Sequence, residues 1–162
     1  MGAGLGGAYL HPVPNLQPLD LVILSAGFLL GARDGLVIGS LTMLVYSLLN
    51  PYGAAHPLVT LSQVIGESGY VLGGGLLAAL GLARWPLALR MAALGAAALP
   101  LTLFFDLITN LATGLLYGQQ RVILLGGIPF ALVHLAGNAV LFAGVGAPLA
   151  AVLARYRERL SS

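Results

Sequence analysis

The chain contains no cysteine and no lysine, and charged residues of every kind make up only 7% of its 162 positions. Without cysteine there is no disulfide framework and no thiolate metal site, and the redox compartment stays open. Soluble globular domains carry about 25% charged residues, so this composition excludes an ordinary water-exposed surface. The net charge is +2 and the arginines are scattered, which excludes a basic face for nucleic acid. No arginine precedes Arg33, so the N-terminus lacks the basic region that opens a signal peptide. Alternating segments of about ten residues are missing too, and with them the pattern of a transmembrane barrel.

What is present is apolar. Hydrophobic residues make up 59% of the chain and the mean hydropathy is +0.97. These values predict an all-α fold: an integral membrane helical bundle in a lipid bilayer, one transmembrane domain over residues 1–162. At about 20 residues per span the length suits five to six transmembrane helices.

Residues 1–10, MGAGLGGAYL, are apolar and glycine-rich but reach only about half-way across a bilayer, as a leader or a partial first helix. Three prolines make residues 11–18 an external loop. Helical spans then fill 19–154. A short helix over 19–32 ends at an Arg33-Asp34-Gly35 turn, and residues 36–49 return across the membrane. Residues 50–56, NPYGAAH, form a second turn-rich loop. A long span over 57–83 is loosened by Gly73-Gly74-Gly75, whose glycines suit close helix packing and, with no Lys-Ser/Thr following, are no phosphate loop. A basic interfacial loop covers 84–90. A span over 91–117 follows, with a kink expected at Pro100. The last helix is expected to start near Pro129 and to run into a cytoplasmic tail over 155–162.

Three polar stripes interrupt this apolar background. Within 101–117, LTLFFDLITNLATGLLY, Thr102, Asp106, Thr109, Asn110 and Thr113 share one helical face. Gln63 and Glu67 repeat the four-residue spacing, as do His134 and Asn138. An acid inside a membrane helix is expensive and marks either a function or a buried partner. Glu67 and Asp106 suit a cationic or amine ligand, a metal, or a proton relay. The plainer alternative is a protonated acid bonded across helices, with His134 a satisfied interhelical histidine and the amides ordinary helix glue. Convergence of the three stripes would favour a site. Tyr70, Tyr52 and Phe130 read as packing or interfacial residues.

Arginine sets the expected orientation. With the tail cytoplasmic, Arg33, Arg84, Arg90, Arg155, Arg157 and Arg159 all lie inside and Arg121 alone lies outside. The stripes then fall in the outer half of a multi-pass protein of the cell membrane, as a pocket open to the outside.

The order of motifs resembles a family. PNLQPLDL leads into LSAGFLLGARDGLVIGSL, then YSLLNPYG, QVIGE before a glycine-rich helix, DLITN, and a last helix with HLAGN. From about Pro14 onward this looks like the substrate-binding S components of energy-coupling factor (ECF) transporters. The resemblance implies six helices and a vitamin-like micronutrient bound near the outer face. It also implies two kinds of partner, a transmembrane coupling protein and a pair of cytoplasmic ATPases, with no cofactor and no catalytic residue in this chain. Carried over residue by residue, the family's binding site points to Asn15, Gln17, Asn50, Tyr52, Gln63, Glu67, Asp106, Asn110, His134 and Asn138. The departure is the first helix, where Ala3/Gly7 or Gly4/Ala8 would have to stand for the small-residue docking motif of a full span.

Two rivals come from other classes. Phe130 to His134 and His134 to Asn138 are similar to the FxxxH and HxxxN motifs of CAAX-type intramembrane proteases, but one histidine serves both patterns and no Glu-Glu pair exists. A small proton or ion carrier would use Glu67, Asp106 and His134 as a relay. The orientation is directly testable in a cysteine-free chain. Single cysteines at Ala54 and Gln119 are expected to react with an impermeant thiol reagent in intact cells, and reaction only after permeabilisation would invert the topology.

Overall fold

The computed structural model describes residues 17–50 and 53–160, and helix is the only regular structure among them. Helix α1 covers Pro18–Leu48, α2 Pro57–Ala79, α3 Leu87–Tyr117, α4 Gln120–Leu141 and α5 Ala147–Leu160. A short 3-10 turn, Leu82–Arg84, joins α2 to α3, and a π-helical turn, Phe142–Gly146, joins α4 to α5. Proline opens two of these helices. Pro18 and Pro57 sit at first-turn positions where a missing N–H costs nothing. His56 caps α2, its Nδ1 accepting from the Leu58 N–H at 3.2 Å.

Helix α1 is broken at Gly31, whose φ of 81° and ψ of −177° lie in a region that only glycine occupies readily. The chain reverses there. A Cβ placed on Gly35 would sit 3.0 Å from the Cα of Gly27, and one on Gly39 would sit 3.3 Å from Cγ2 of Ile23. In a straight helix residues eight apart lie about 12 Å apart along the axis, so the two arms must run antiparallel. The turn expected at Arg33-Asp34-Gly35 is therefore two residues early, and those three residues belong to the second arm.

By length and composition three helical stretches could cross a membrane: Pro18–Leu48 counted through its break, Leu87–Tyr117, and Gln120–Arg159 counted through the π-helical turn. Five to six spans of full membrane length are therefore not found among the described residues, contrary to expectation. The arms of α1, at about 20 and 25 Å, each fall short of a 30 Å hydrocarbon core. Helix α2 has 23 residues, but Ser62, Gln63, Glu67 and Ser68 lower its hydropathy. The last apolar stretch begins at Gln120 rather than near Pro129, which lies inside α4. The basic loop is also shorter than expected, since Arg90 already belongs to α3. Residues 1–16 and 51–52 lie outside the described residues, and with them Asn15, Tyr52 and the partial first helix.

The distribution of polarity is inverted relative to a water-soluble protein. Asp20, Glu67, His134 and Asn138 are at most 1% exposed, whereas Leu115 and Val140 are 70% and 74% exposed. A bundle solvated by hydrocarbon has this pattern, because polar groups are cheapest where they meet one another. The core joins Ile23, Leu24, Phe28, Met43, Tyr70, Val71, Leu94, Phe105 and Phe142.

The tightest contact in the bundle is between the first arm of α1 and α2. A Cβ on Gly27 would strike the carbonyl oxygen of Val71, and one on Gly74 would strike that of Leu24. Backbone cannot yield as a side chain does, so both positions require glycine. Gly27→Ala and Gly74→Ala are each expected to lower stability by about 2–3 kcal/mol. Gly126→Ala, with nothing within 4 Å of its Cβ, is expected to be neutral or slightly stabilising. Thermal unfolding of the three detergent-solubilised variants checks this.

Candidate functional site

Four helices each deliver polar side chains to one buried cluster. Asp20 comes from the first turn of α1, Glu67 and Tyr70 from α2, Thr102 and Asp106 from α3, and His134 and Asn138 from α4. Two of these pairs, Thr102/Asp106 and His134/Asn138, are spaced four residues apart and so lie on one helical face. The first turn of α1 brings the positive end of its dipole to the Asp20 carboxylate.

His134 is the centre. Its Nδ1 lies 2.8 Å from Oδ1 of Asp106, and its Nε2 lies 2.8 Å from Oδ2 of Asp20. A ring that faces a carboxylate on each nitrogen needs a proton in both contacts. Either both nitrogens carry hydrogen, or one carboxyl does. Nδ2 of Asn138 lies 2.6 Å from Oδ2 of Asp20, 2.9 Å from Oγ1 of Thr102, 3.2 Å from the Tyr70 hydroxyl and 3.1 Å from Nε2 of His134. An amide nitrogen has two hydrogens for these four neighbours, and the two shortest contacts, to Asp20 and Thr102, claim them. Tyr70 donates to Oγ1 of Thr102 at 2.9 Å. Aromatic rings close the cluster: Phe105 stands edge-on to His134 with centroids 6.0 Å apart, and Phe142 stands edge-on to Tyr70 at 6.0 Å.

The cluster has more acceptors than donors. Oδ1 of Asp20, both carboxyl oxygens of Glu67, Oδ2 of Asp106 and Oδ1 of Asn138 are buried with no hydrogen-bond partner among the described residues. The Glu67 carboxyl lies within hydrogen-bonding reach of the Asp20 carboxyl, so one proton between them would pair the two acids. Two carboxyl groups, Asp20 and Asp106, therefore share one imidazole with Glu67 beside Asp20, and no arginine is hydrogen-bonded to the three among the described residues. Buried acceptors of this kind demand protons or positive charge. No group of three or more His, Asp or Glu among the described residues is arranged to hold a metal ion.

Asp106 connects this cluster to open space. A cavity of about 350 Å³ is lined by Gln17, Phe105, Asp106, Asn110, Gly127 and Phe130, among others. Its size lies within the range of small-molecule sites. Asn110 packs against Gly127, where a Cβ would come within 2.9 Å of Nδ2. Thr109 and Thr113 do not contribute hydroxyl donors here, because each bonds back to its own helix at 2.8 Å.

The residues picked from sequence thus divide. Glu67, Asp106, His134 and Asn138 meet in the buried cluster, while Gln17 and Asn110 line the adjoining cavity. Gln63 does not join its stripe partner, since its Oε1 accepts from the Ser47 hydroxyl at 2.9 Å. Asn50 ends the α1 side of the 50–56 connection, where its carbonyl accepts from the Gly53 N–H at 3.0 Å. Asn15 and Tyr52 lie outside the described residues. Asp20 was missed altogether and Tyr70 was read as packing. One acid in a helix's first turn has an ordinary explanation in the helix dipole, and the available signal was its position inside the apolar run LDLVILSAGF.

Comparison of the chain with family models, with curated proteins and with solved structures gave no match. Function is therefore argued from the site itself. Asn138 links α4 to three other helices, so Asn138→Leu is expected to cost about 1–2 kcal/mol of bundle stability. Val140→Ala, on the exposed face of the same helix, is expected to change stability by less than about 0.5 kcal/mol. Unfolding of both variants in a detergent titration measures the difference.

Proposed function

We propose that this protein is the membrane-embedded solute-binding subunit of an importer, similar to the S components of ECF transporters. It captures a small vitamin-like solute carrying a cationic or donor-rich group from outside the cell. It passes that solute on with a transmembrane coupling protein and two cytoplasmic ATPases, and catalyses no reaction itself. The observation that carries this reading is the acceptor-rich cluster reaching an open cavity of about 350 Å³ through Asp106. An ammonium or amide N–H entering beside Gln17 and Asn110 would approach Asp106 at the cavity wall, and a shift of that wall would bare its buried, unpartnered Oδ2, with the rest of the cluster holding that carboxylate in place.

The reading also requires the two arms of α1 and the polar helix α2 to lie within the membrane. None need insert alone, because the first arm and α2 bury their polar groups against α3 and α4. Counting each arm as a pass, the helices alternate between the two ends of the bundle in the order that the S-component reading needs. The polar loop ends and the cluster then fall toward the outer face, and the arginine-rich end toward the cytoplasm.

A proton or ion carrier is the second reading, favoured by the unbroken string Asp106–His134–Asp20–Asn138. The protease reading has less support, since His56 caps α2 and His134 is the one imidazole in the cluster among the described residues. Mass spectrometry of the co-purified solute identifies the ligand. Asp106→Asn and Glu67→Gln are then expected to weaken its binding on the order of a hundredfold. Ser40→Ala, in the second arm of α1, is expected to bind normally. Full affinity in both acid variants would refute the binding reading, and a pH-driven current in proteoliposomes without added solute would favour the carrier.

A further inference from the structure

A second cavity, of about 510 Å³, lies near the end of the bundle where α2 turns into α3. Phe28 and alanines of α2 and α5 form its apolar floor, and Arg84, Arg155, Arg157 and Glu158 line it. Three guanidinium groups against one carboxylate leave a local charge of +2. None of these residues takes part in the acid cluster, and Ala78 lies about 16 Å further along α2 than Glu67.

The arginines divide by role. Nη1 of Arg157 donates to the Phe28 carbonyl at 3.3 Å. Phe28 is in the last turn before the Gly31 break, where carbonyls lose their helical partners, so Arg157 acts as a cap for the first arm. Arg84 and Arg155 are exposed and approach the cavity from separate elements, the 3-10 turn and α5. Trp85 follows Arg84 directly and is 38% exposed, which suits a residue at the membrane–water interface.

We propose that this cavity binds a phosphodiester anion, specifically the headgroup of an anionic phospholipid. Guanidinium pairs match phosphate oxygens with two parallel hydrogen bonds, which an ammonium cannot do. The apolar floor formed by Phe28 and the alanines accommodates the glycerol and the first methylenes below the phosphate. A free phosphate shares the anion chemistry but leaves that floor unused. Basic pockets at the interfacial level of helical bundles suit anionic headgroups on this physical basis. The site is independent of the solute cavity, so failure of either assignment leaves the other intact.

The full chain in a neutral detergent supplies the test. Phosphatidylglycerol, phosphatidylcholine and inorganic phosphate are added separately, and lipid retention by native mass spectrometry and thermal unfolding are read. Phosphatidylglycerol is expected to be retained and to raise the unfolding temperature, with an effect that weakens as salt rises. Arg84→Gln and Arg155→Gln should each lower its affinity roughly fivefold. Arg121→Gln, in the first turn of α4 and outside the cavity lining, should leave it unchanged. Because Arg84 and Arg155 are exposed, each single variant reads the site even if the double variant does not fold. Equal retention of the two lipids, or undiminished phosphatidylglycerol binding in both single variants, would overturn the site. Stabilisation by inorganic phosphate as strong as by phosphatidylglycerol would overturn the lipid assignment.

Discussion

His134 holds a carboxylate on each ring nitrogen, one from α3 and one from α1, and the rest of the bundle is arranged around that double contact. In hydrocarbon no water is available to satisfy a polar group left unpaired, so a contact of this kind constrains helix position more strongly than apolar packing does. Asn138 extends it to Thr102, to which Tyr70 also donates, and this brings α2 and α3 to the same point. Phe105 and Phe142 then seal the cluster with ring edges. Acceptors outnumber donors in the cluster among the described residues.

The glycine contacts make this geometry reachable. With Gly27 against Val71 and Gly74 against Leu24, the first arm of α1 lies backbone to backbone on α2. Asp20 is two turns before Gly27 on the same arm, and Glu67 is two turns before Gly74 on α2. Close approach at the glycines therefore sets the distance between the two acids. The break at Gly31 has a related consequence. It shortens the arm and fixes where its first turn, and hence Asp20, lies along the bundle.

The two cavities differ in the charge that they present. One is edged by a carboxylate and two amides, the other by three arginines and a glutamate. The arginine-edged cavity lies at the end that the sequence reading expected to face the cytoplasm. The difference separates an acceptor-edged end from an arginine-edged end.

Composition by itself determined the helical, membrane-compatible class, because a chain with 7% charge and long apolar runs has few ways to satisfy its backbone. Four-residue spacing likewise identified the faces carrying Asp106, His134 and Asn138, since helix periodicity is a local property. It did not distinguish Gln63, which turns to Ser47, from Glu67, which turns inward, because both readings obey the same spacing. Nor did it give the number of membrane-long helices, which depended on where α1 breaks and on how much polarity α2 carries. Asp20 was the residue that only the tertiary structure supplied. It stands 114 positions from His134, and no local pattern links them. Periodicity states which side chains share a face, whereas the Gly31 reversal and the glycine contact between α1 and α2 decide which faces meet.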